Sequence, residues 1–237
     1  MGQSFFIWKN KDCRSMGVKL SGPAAIIRPE ERVQHIEIPG RSGDMTQLQG
    51  ENIYNSYIQT VTILVHGGYR ARDVFDWLRG SGFVTFSGEP DKKQAARIIG
   101  AVTLDRHSYN LDWWSGEVQF YCQPLKEKLT DSNVTITSSG SSVRNSGDVE
   151  AKPLWKLTAN ATSATVTAGG KSLTVTGLTS GSVYYIDSDV MEVYNADRSA
   201  ILTGNSSGNF PVLAVGNNSV TGSGWSSLEI SRRERFL

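Results

Sequence analysis

Residues Ile26–Asp44 read IIRPEERVQHIEIPGRSGD, a strand pattern followed directly by a turn pattern. Arg32–Ile38 has the two-residue period of an exposed or half-buried strand, with two isoleucines on one face. Pro39 lacks the N–H that a sheet ladder needs, and Gly40 tolerates a positive φ. We therefore expect a strand over Arg32–Ile38 and a turn at residues 40–43.

A long polar segment, Asp44–Ser56, separates this turn from the next apolar strand. A polar connection of that length in a compact domain is usually either functional or disordered. We predict that it serves contact between copies of the protein rather than chemistry.

The composition indicates a globular chain that is not a dedicated nucleic-acid binder. Its 237 residues, 38% hydrophobic and 20% charged, suffice for one large domain or two ordinary ones. No apolar run approaches the roughly 20 residues of a membrane helix, and the N-terminus lacks the features of a secretory signal. The net charge of +1 stays near zero in both halves, whereas a nucleic-acid binder normally has a basic excess on at least one domain.

The first half of the chain combines several strand patterns with one helix pattern. Tyr69–Gly80 has apolar residues at helical spacing, with Val74, Phe75 and Leu78 as its expected buried stripe. Pro124 is expected to end the last strand of this half. The strands predicted from alternation are Phe5–Trp8, Tyr57–Val65, Phe83–Phe86, Arg97–Asp105 and Glu117–Cys122.

A change in composition marks the predicted domain boundary. Residues 130–147 are mostly Ser, Thr, Asn and Gly, which is the texture of a linker or a loose first strand. Charged residues become sparse beyond this stretch. We therefore divide the chain into residues 1–135 and residues 136–237.

The second half has the pattern of an antiparallel β-sandwich. Short Thr- and Val-rich runs follow one another at ~8–12-residue spacing, without a helix pattern. Gly169-Gly170, between Ala164–Thr167 and Leu173–Thr176, is a strong signal for a two-residue hairpin. A second pair of strands flanks residues 187–189. The predicted fold class is therefore mainly β with one helix (α+β).

No residue pattern predicts catalysis, a cofactor or a metal ion. His35, His66 and His107 are scattered over different elements without metal-ligand spacing. Residues 204–208 fit the G-x-S-x-G nucleophile elbow, but the required helix does not follow and every histidine lies upstream. Cys122 ends an apolar strand and is predicted to be a core residue rather than a disulfide partner. We therefore expect a protein that is not an enzyme.

The aromatic residues of the second half leave sugar binding open. Trp155 and one of Tyr184 and Tyr185 are expected in the core. Trp225 lies in a run of Gly and Ser and is the best candidate for an exposed ring. Trp225 and Tyr194 are the predicted glycan or partner contacts. The alternative function is a carbohydrate-binding module that recognises host cell-surface glycans.

Several short motifs follow a fairly specific order along nearly the whole chain. In the first half they are Ile36–Arg41 with Gly43, Trp77-Leu78 before Gly80, Phe86–Pro90 and Phe120–Pro124. In the second half they are Lys152-Pro153, Asp187 followed by Glu192–Tyr194, and Phe210–Leu213 with Gly216 and Asn218. This order resembles the distal tail proteins (Dit) of long-tailed phages and prophages.

The resemblance implies a structural protein at the distal end of the phage tail, assembled in the cytoplasm of the bacterial host. Distal tail proteins form a six-membered ring that joins the tail tube to the tail hub or tail-associated lysin. By this resemblance, residues 1–135 build the ring as a β-sandwich or split barrel. Residues 136–237 form a galectin-like β-sandwich that can carry receptor-binding proteins.

The partners implied by the resemblance are five further copies of the chain, the major tail tube protein, the tail hub or lysin, and the tape measure protein. The genome passes through the lumen of the ring, so neither specific nucleic-acid binding nor a membrane is expected. The near-zero net charge suits a lumen that must not hold DNA.

A closed ring requires two different contact patches on each subunit. The long polar connection beside an edge strand can supply one patch by docking on the sheet of a neighbour. Arg41 and Asp44 are its expected polar anchors. The predicted contact residues are Pro39, Gly40, Arg41, Asp44, Gln47 and Gln49.

Overall fold

The protein folds into two compact units. The structure is a computed structural model that describes residues 4–48, 50, 52–67, 71–108 and 112–237. Residues 1–129 with Leu237 form the first unit, and residues 130–236 form the second. A boundary between residues 135 and 136 would cut a strand of the second unit, Val134–Ile136.

The first unit consists of one large antiparallel sheet and a separate hairpin. Its strands are β1 (Phe6–Trp8), β2 (Lys11–Asp12), β3 (Val18–Leu20), β4 (Val33–Ile36), β5 (Met45–Leu48), β6 (Tyr57–His66), β7 (Ser81–Phe86), β8 (Lys92–Ile99), β9 (Asp105–Ser108) and β10 (Trp113–Lys128). The sheet has the order β2-β1-β7-β8-β10-β6-β3, and β9 also pairs with β10. The hairpin is formed by β4 and β5.

The core of the first unit lies on one face of this sheet. Val61, Ile63 and Val65 on β6 are buried there, as their alternation predicts. Helix α1 (Ala71–Trp77) covers the same face, where the ring of Trp77 stacks on Phe6 with 5.4 Å between centroids. The side chains of opposite parity lie on the other face of the sheet.

The helix is shorter than the sequence predicts, and its buried stripe is narrower. Residues 68–70, within the predicted helix Tyr69–Gly80, lie outside the described residues. Val74 and Leu78 are buried, as expected for an i, i+4 pair on one face. Phe75 is exposed, and the prediction that it belongs to the buried stripe was wrong. Phe75 follows the buried Val74, and consecutive residues of a helix lie about 100° apart around its axis.

Two strand ends differ from the prediction. β10 continues past Pro124 to Lys128. The register between β10 and β8 shifts between Cys122 and Lys126, so Pro124 lies in an irregular part of the ladder. The missing N–H of Pro124 therefore removes no hydrogen bond between these strands. The strand predicted over Arg97–Asp105 is divided between β8 and β9. Gly100 follows β8 with a φ of +71°, which ends the extended chain.

The second unit is an antiparallel sandwich. Its strands are β11 (Val134–Ile136), β12 (Ser141–Asn145), β13 (Leu154–Ala159), β14 (Ser163–Ala168), β15 (Lys171–Thr176), β16 (Val183–Asp187), β17 (Glu192–Tyr194), β18 (Ser206–Gly208), β19 (Gly216–Ser223), β20 (Trp225–Ser231) and β21 (Arg235–Phe236). One sheet has the order β11-β20-β13-β16-β17 and the other β12-β19-β14-β15-β18. Residues 130–147 therefore contain two paired strands, so that of the two alternatives, a linker or a first strand, the structure shows strands.

Both sheets of the sandwich contribute to one buried core. Trp155 and Leu157 on β13 pack in the same apolar cluster as Val166 on β14. The predicted Gly169-Gly170 hairpin is confirmed, because Ala168 pairs with Lys171 and both glycines have positive φ. The fold class is confirmed as mainly β, with one α-helix among the described residues.

Candidate functional site

Residues 30–48, 50 and 52–55 form a β-hairpin that we call the arm. β4 and β5 pair next to its tip loop, residues 37–44. Near the base, the N–H of Arg32 donates to the carbonyl of Ile53 at 2.8 Å, and the N–H of Asn55 donates to the carbonyl of Glu30 at 2.8 Å. The described part of the polar segment Asp44–Ser56 therefore contains the strand β5 and belongs largely to this hairpin.

Each face of the arm carries one apolar pair. Ile36 lies opposite Met45, and Val33 lies opposite Leu48. Side chains alternate between the faces of a strand, so these two pairs point to opposite sides of the hairpin. Hydrophobic surface is thus present on both faces.

The apolar residues of β5 are not covered by their own chain. Met45 is 50% exposed and Leu48 is 59% exposed. An isolated two-stranded hairpin is at best marginally stable in water, so large apolar side chains exposed on it indicate a surface that another molecule covers. The arm is therefore the leading candidate for a contact surface in the first unit.

The predicted contact residues that the structure describes all lie on the arm. Pro39, Gly40, Arg41 and Asp44 are exposed in the tip loop, and Gln47 is exposed on β5. Gly40 has a φ of +82°, which agrees with the predicted turn. Gln49 lies outside the described residues.

Sequence reasoning missed the apolar residues of the arm. It searched the segment for polar anchors and did not weigh Met45, Leu48 and the exposed Ile53. A usable signal was present, because large apolar side chains recur at intervals through an otherwise polar stretch.

The face of the main sheet opposite the core is a second exposed surface, which we call the sheet face. Ile58 on β6, Tyr121 on β10 and Arg97 on β8 lie side by side across three strands. Ile58 is 50% exposed and Tyr121 is 40% exposed. One row further along lies the exposed Phe83 on β7, with the Nζ of Lys93 4.8 Å from its ring centroid. The sheet face therefore combines aliphatic and aromatic side chains with positively charged side chains.

In the second unit, Trp225 is buried, and the expectation of an exposed ring was wrong. Its side chain is 7% exposed, and its indole N–H donates to the carbonyl of Thr165 at 3.2 Å. The glycines around it permit close packing of strands: a Cβ on Gly222 would lie 2.0 Å from Thr165 O, and one on Gly224 would lie 2.0 Å from Ser163 O. The Gly- and Ser-rich composition therefore reflects backbone contact rather than exposure.

Tyr194 lies half-buried on the outer face of the sandwich. It pairs with Tyr185, which also faces outward, whereas Tyr184 and Trp155 are in the core as predicted. The hydroxyl of Tyr194 donates to the carboxylate of Glu192, which raises the pKa of the tyrosine. Tyr194 is therefore held at the surface next to another aromatic ring.

Several residues that carry the family resemblance stabilise the second unit. The guanidinium of Arg233 donates to both carboxylate oxygens of Asp187 at 2.7 and 2.9 Å. The side-chain amide of Asn218 donates to the carbonyl of Ala214 at 2.8 Å, and its oxygen accepts from the N–H of Ala214 at 2.9 Å. These contacts fix strand ends and loops.

The turn Phe86–Pro90 in the first unit is held in a similar way. The carboxylate of Glu89 accepts from Lys126 Nζ at 2.5 Å and from Lys92 Nζ at 2.9 Å. Burial raises the pKa of Glu89, but these two hydrogen bonds outweigh it and hold the pKa below its usual value. This motif is also structural.

The described residues hold no group of three His, Cys, Asp or Glu side chains placed for a metal ion. Cys122 is buried, as predicted, and burial raises the pKa of its thiol to about 12. No helix follows residues 204–208, since residues 209–215 have no helical structure. Among the helical segments that the structure describes, none is long and apolar enough to cross a membrane.

Comparison with solved structures finds a likeness over the full length of the chain. The crystal structure of the SPP1 Dit protein (gp 19.1) matches it with a TM-score of 0.81 and 16% sequence identity, over 100% of both chains. The chain has the fold of SPP1 Dit. That protein is described as a paradigm of the hub adsorption apparatus in phages that infect Gram-positive bacteria. The resemblance inferred from motif order is thus confirmed at the level of the fold.

The sequence comparisons do not extend this finding. No model of a known protein family matches the chain, and no curated protein matches it.

Proposed function

We propose that the chain is a structural protein of a phage tail tip that assembles with copies of itself into a ring. The observation that carries the proposal is the arm, an ordered hairpin with uncovered apolar side chains on a chain that has the Dit fold. This role requires contacts and no catalysis, so we assign no enzymatic activity.

The ring contact is formed when the arm of one subunit docks on the sheet face of the next. The two patches are different, which is the condition for a heterologous interface that closes into a ring. Leu48 and its partner Val33, on one face of the arm, would be covered by Ile58 and Tyr121 of the neighbour, whereas Met45 lies on the opposite face. Burying a Leu or Val side chain contributes about 1.5–3 kcal/mol relative to full exposure, so covering Leu48 and the exposed part of Val33 is a substantial driving force.

The finer features of the role follow from the resemblance to distal tail proteins. The ring contains six subunits and joins the tail tube to the tail hub or tail-associated lysin. The genome and the tape measure protein pass through its lumen. The second unit offers an attachment site for receptor-binding proteins.

The mass of the purified protein in solution tests the ring. We expect a particle of about 155 kDa, six times the chain mass of 25.9 kDa. Replacing Met45 and Leu48 by Asp should reduce the mass to that of one chain, and Arg41→Glu should do the same if the tip loop is a polar anchor. Val190→Asp is the matched control, because Val190 is an equally exposed apolar residue of the second unit. A chain that stays monomeric at high concentration and in purified tails would contradict the proposal.

Disulfide cross-linking tests which two patches meet. Both native cysteines, Cys13 and Cys122, are buried, so thiols introduced at the surface are the accessible ones. We expect a chain with Leu48→Cys and Ile58→Cys to form ladders of linked subunits on mild oxidation. A chain with Leu48→Cys and Lys171→Cys should give no ladder. Equal ladders from both would show that the contact lies elsewhere.

A further inference from the structure

A row of side chains crosses the outer face of the sheet β11-β20-β13-β16-β17. Glu229 pairs with Lys156, Lys156 with Tyr185, and Tyr185 with Tyr194, and an isolated bridge joins Tyr194 to Ile201. Residues directly opposite each other share a face, so all five side chains lie on one side of the sheet. We call these five residues the tyrosine row.

One end of the tyrosine row is apolar and does not belong to the core. Tyr184 and Val193, the chain neighbours of Tyr185 and Tyr194, point inward and pack in the core. Ile201 is 63% exposed at the end of the row. Two aromatic rings and an isoleucine thus lie on the surface of a sandwich whose interior is already filled.

Arg198 lies over this apolar end. Its guanidinium is 4.3 Å from the ring centroid of Tyr185. Arg198 has a φ of +58°, a conformation that is uncommon for residues other than glycine. The turn that holds it is closed by Asn195, whose carbonyl accepts from the N–H of Arg198 at 3.1 Å and whose side-chain oxygen accepts from the N–H of Ala200 at 3.0 Å. The cation is therefore placed beside the rings by a well-bonded turn.

The other end of the tyrosine row is polar. Lys156 Nζ donates to Glu229 at 2.9 Å, and the side-chain amide of Asn133 donates to the same carboxylate at 2.7 Å. The charges on this surface nearly balance, because Lys156 and Arg198 stand against Glu229, Glu192 and the exposed Asp197 of the same turn. The surface therefore offers hydrogen-bond donors and acceptors without a basic excess.

We propose that the tyrosine row, with Arg198, binds a neutral glycan. The half-buried ring of Tyr194 matches the apolar face of a sugar ring, and Lys156, Arg198 and Glu229 supply donors and acceptors for its hydroxyl groups. The lack of a basic excess fits an uncharged polyol and does not fit a polyanion. Three strand spacings of ~4.8 Å separate Glu229 from Tyr194, so this part of the tyrosine row is roughly 14 Å long and accommodates an oligosaccharide.

This site differs from the surfaces of the proposed ring. It lies entirely in the second unit and shares no residue with the arm or the sheet face. Glycan binding and ring formation can therefore be measured separately, and neither result depends on the other.

Isothermal titration of the full-length protein with maltohexaose, cellohexaose and chitohexaose tests the proposal. We expect the wild-type chain to bind at least one of these neutral oligosaccharides and to prefer it over the polyanion heparin. Tyr194→Ala should weaken that binding about tenfold or more, which corresponds to about 1.4 kcal/mol. Tyr194→Phe should keep most of the affinity, because the ring remains.

Matched variants separate the site from general effects of mutation. Lys156→Ala should weaken binding, whereas Lys171→Ala, which removes another exposed lysine–carboxylate pair of the same unit, should not. Thermal unfolding and particle mass confirm that each variant folds and assembles as the wild-type chain does. Absence of binding to all three oligosaccharides, unchanged binding by Tyr194→Ala, or a preference for heparin would each overturn the proposal.

Discussion

Asp187 shows how single charged residues hold the second unit together. Its side chain is almost completely buried, and burial alone raises the pKa of a carboxyl group. The guanidinium of Arg233 and the N–H of Asp189 donate to the carboxylate and outweigh the effect of burial, so the pKa of Asp187 lies below its usual value. The ionised form is therefore the one that stabilises the fold.

Asp187→Asn should lower the free energy of unfolding of the second unit by about 2 kcal/mol at pH 7, because charged hydrogen bonds are lost. Because the pKa of Asp187 is lower in the folded chain than in the unfolded chain, ionised Asp187 stabilises the fold above the unfolded pKa of about 3.9. This stabilisation is lost as the pH falls through the pKa of the folded chain. The difference between variant and wild-type chain should therefore shrink below about pH 4. Urea unfolding followed by tryptophan fluorescence at pH 7 and pH 3 measures it. A difference independent of pH would contradict this account.

At the residue scale, the sequence predicted burial well where side chains alternate along a regular strand. Trp155, Tyr184 and Cys122 are buried as expected. Trp225 was misjudged because its neighbours are glycines. Their close approach to the backbone of Ser163 and Thr165 on β14 depends on strand pairing far along the chain, which a local pattern does not contain.

Gly116 illustrates a constraint that acts on a whole element. It lies on β10 opposite Ile63 of β6, and a Cβ at this position would come within 1.9 Å of the carbonyl oxygen of Thr103. Its φ is not positive, so the constraint comes from packing between neighbouring segments and not from backbone conformation. The segment before β9 can lie against β10 only because this residue has no side chain.

Gly116→Ala should destabilise the first unit by about 3 kcal/mol, since the clash involves backbone that cannot rotate away. Gly22→Ala is the matched control, because nothing lies within 4 Å of its added Cβ, and it should change stability by less than about 0.5 kcal/mol. Denaturant unfolding of both variants measures the difference. Equal stability of the two would show that the contact with Thr103 is loose.

At the element scale, prediction succeeded for strands with one buried face and for β4, which lies within the predicted strand Arg32–Ile38, but it failed for β5 of the arm. β6 shows a regular alternation, because one of its faces packs against the core. The two strands of the arm have no buried face, so the polar segment lacked the period that identifies a strand. The tyrosine row was missed for a related reason, because its residues come from four strands and a bridge whose register is set only in the folded sheet.

In the molecule as a whole, the residues that stabilise each unit are different from the exposed residues of the arm. Each unit has a core of its own, and no residue of β4 or β5 is buried. The arm therefore adds little to the stability of the isolated chain. Its apolar side chains gain their stabilisation only when another molecule covers them.

Replacing residues 33–52 by an Asn-Gly turn should abolish the ring while leaving the fold intact. Arg32 and Ile53 already pair at the base of the arm, and Asn-Gly is a favoured two-residue hairpin turn. We expect the melting temperature of the monomer to change by no more than about 4 °C. Mass photometry and calorimetry measure the two effects. A large fall in melting temperature would contradict the conclusion that the arm adds little to stability, and a ring that persists would contradict its role in the contact.

The position of the arm outside its own core has a consequence for how such subunits diverge. Substitutions at Leu48 are not restrained by the packing of the chain that carries it, only, under the proposed ring contact, by the surface that it meets on another subunit. Under that contact, two related chains made in the same cell can keep their rings from mixing by changing Leu48 together with Ile58 and Tyr121, while every buried position stays as it is.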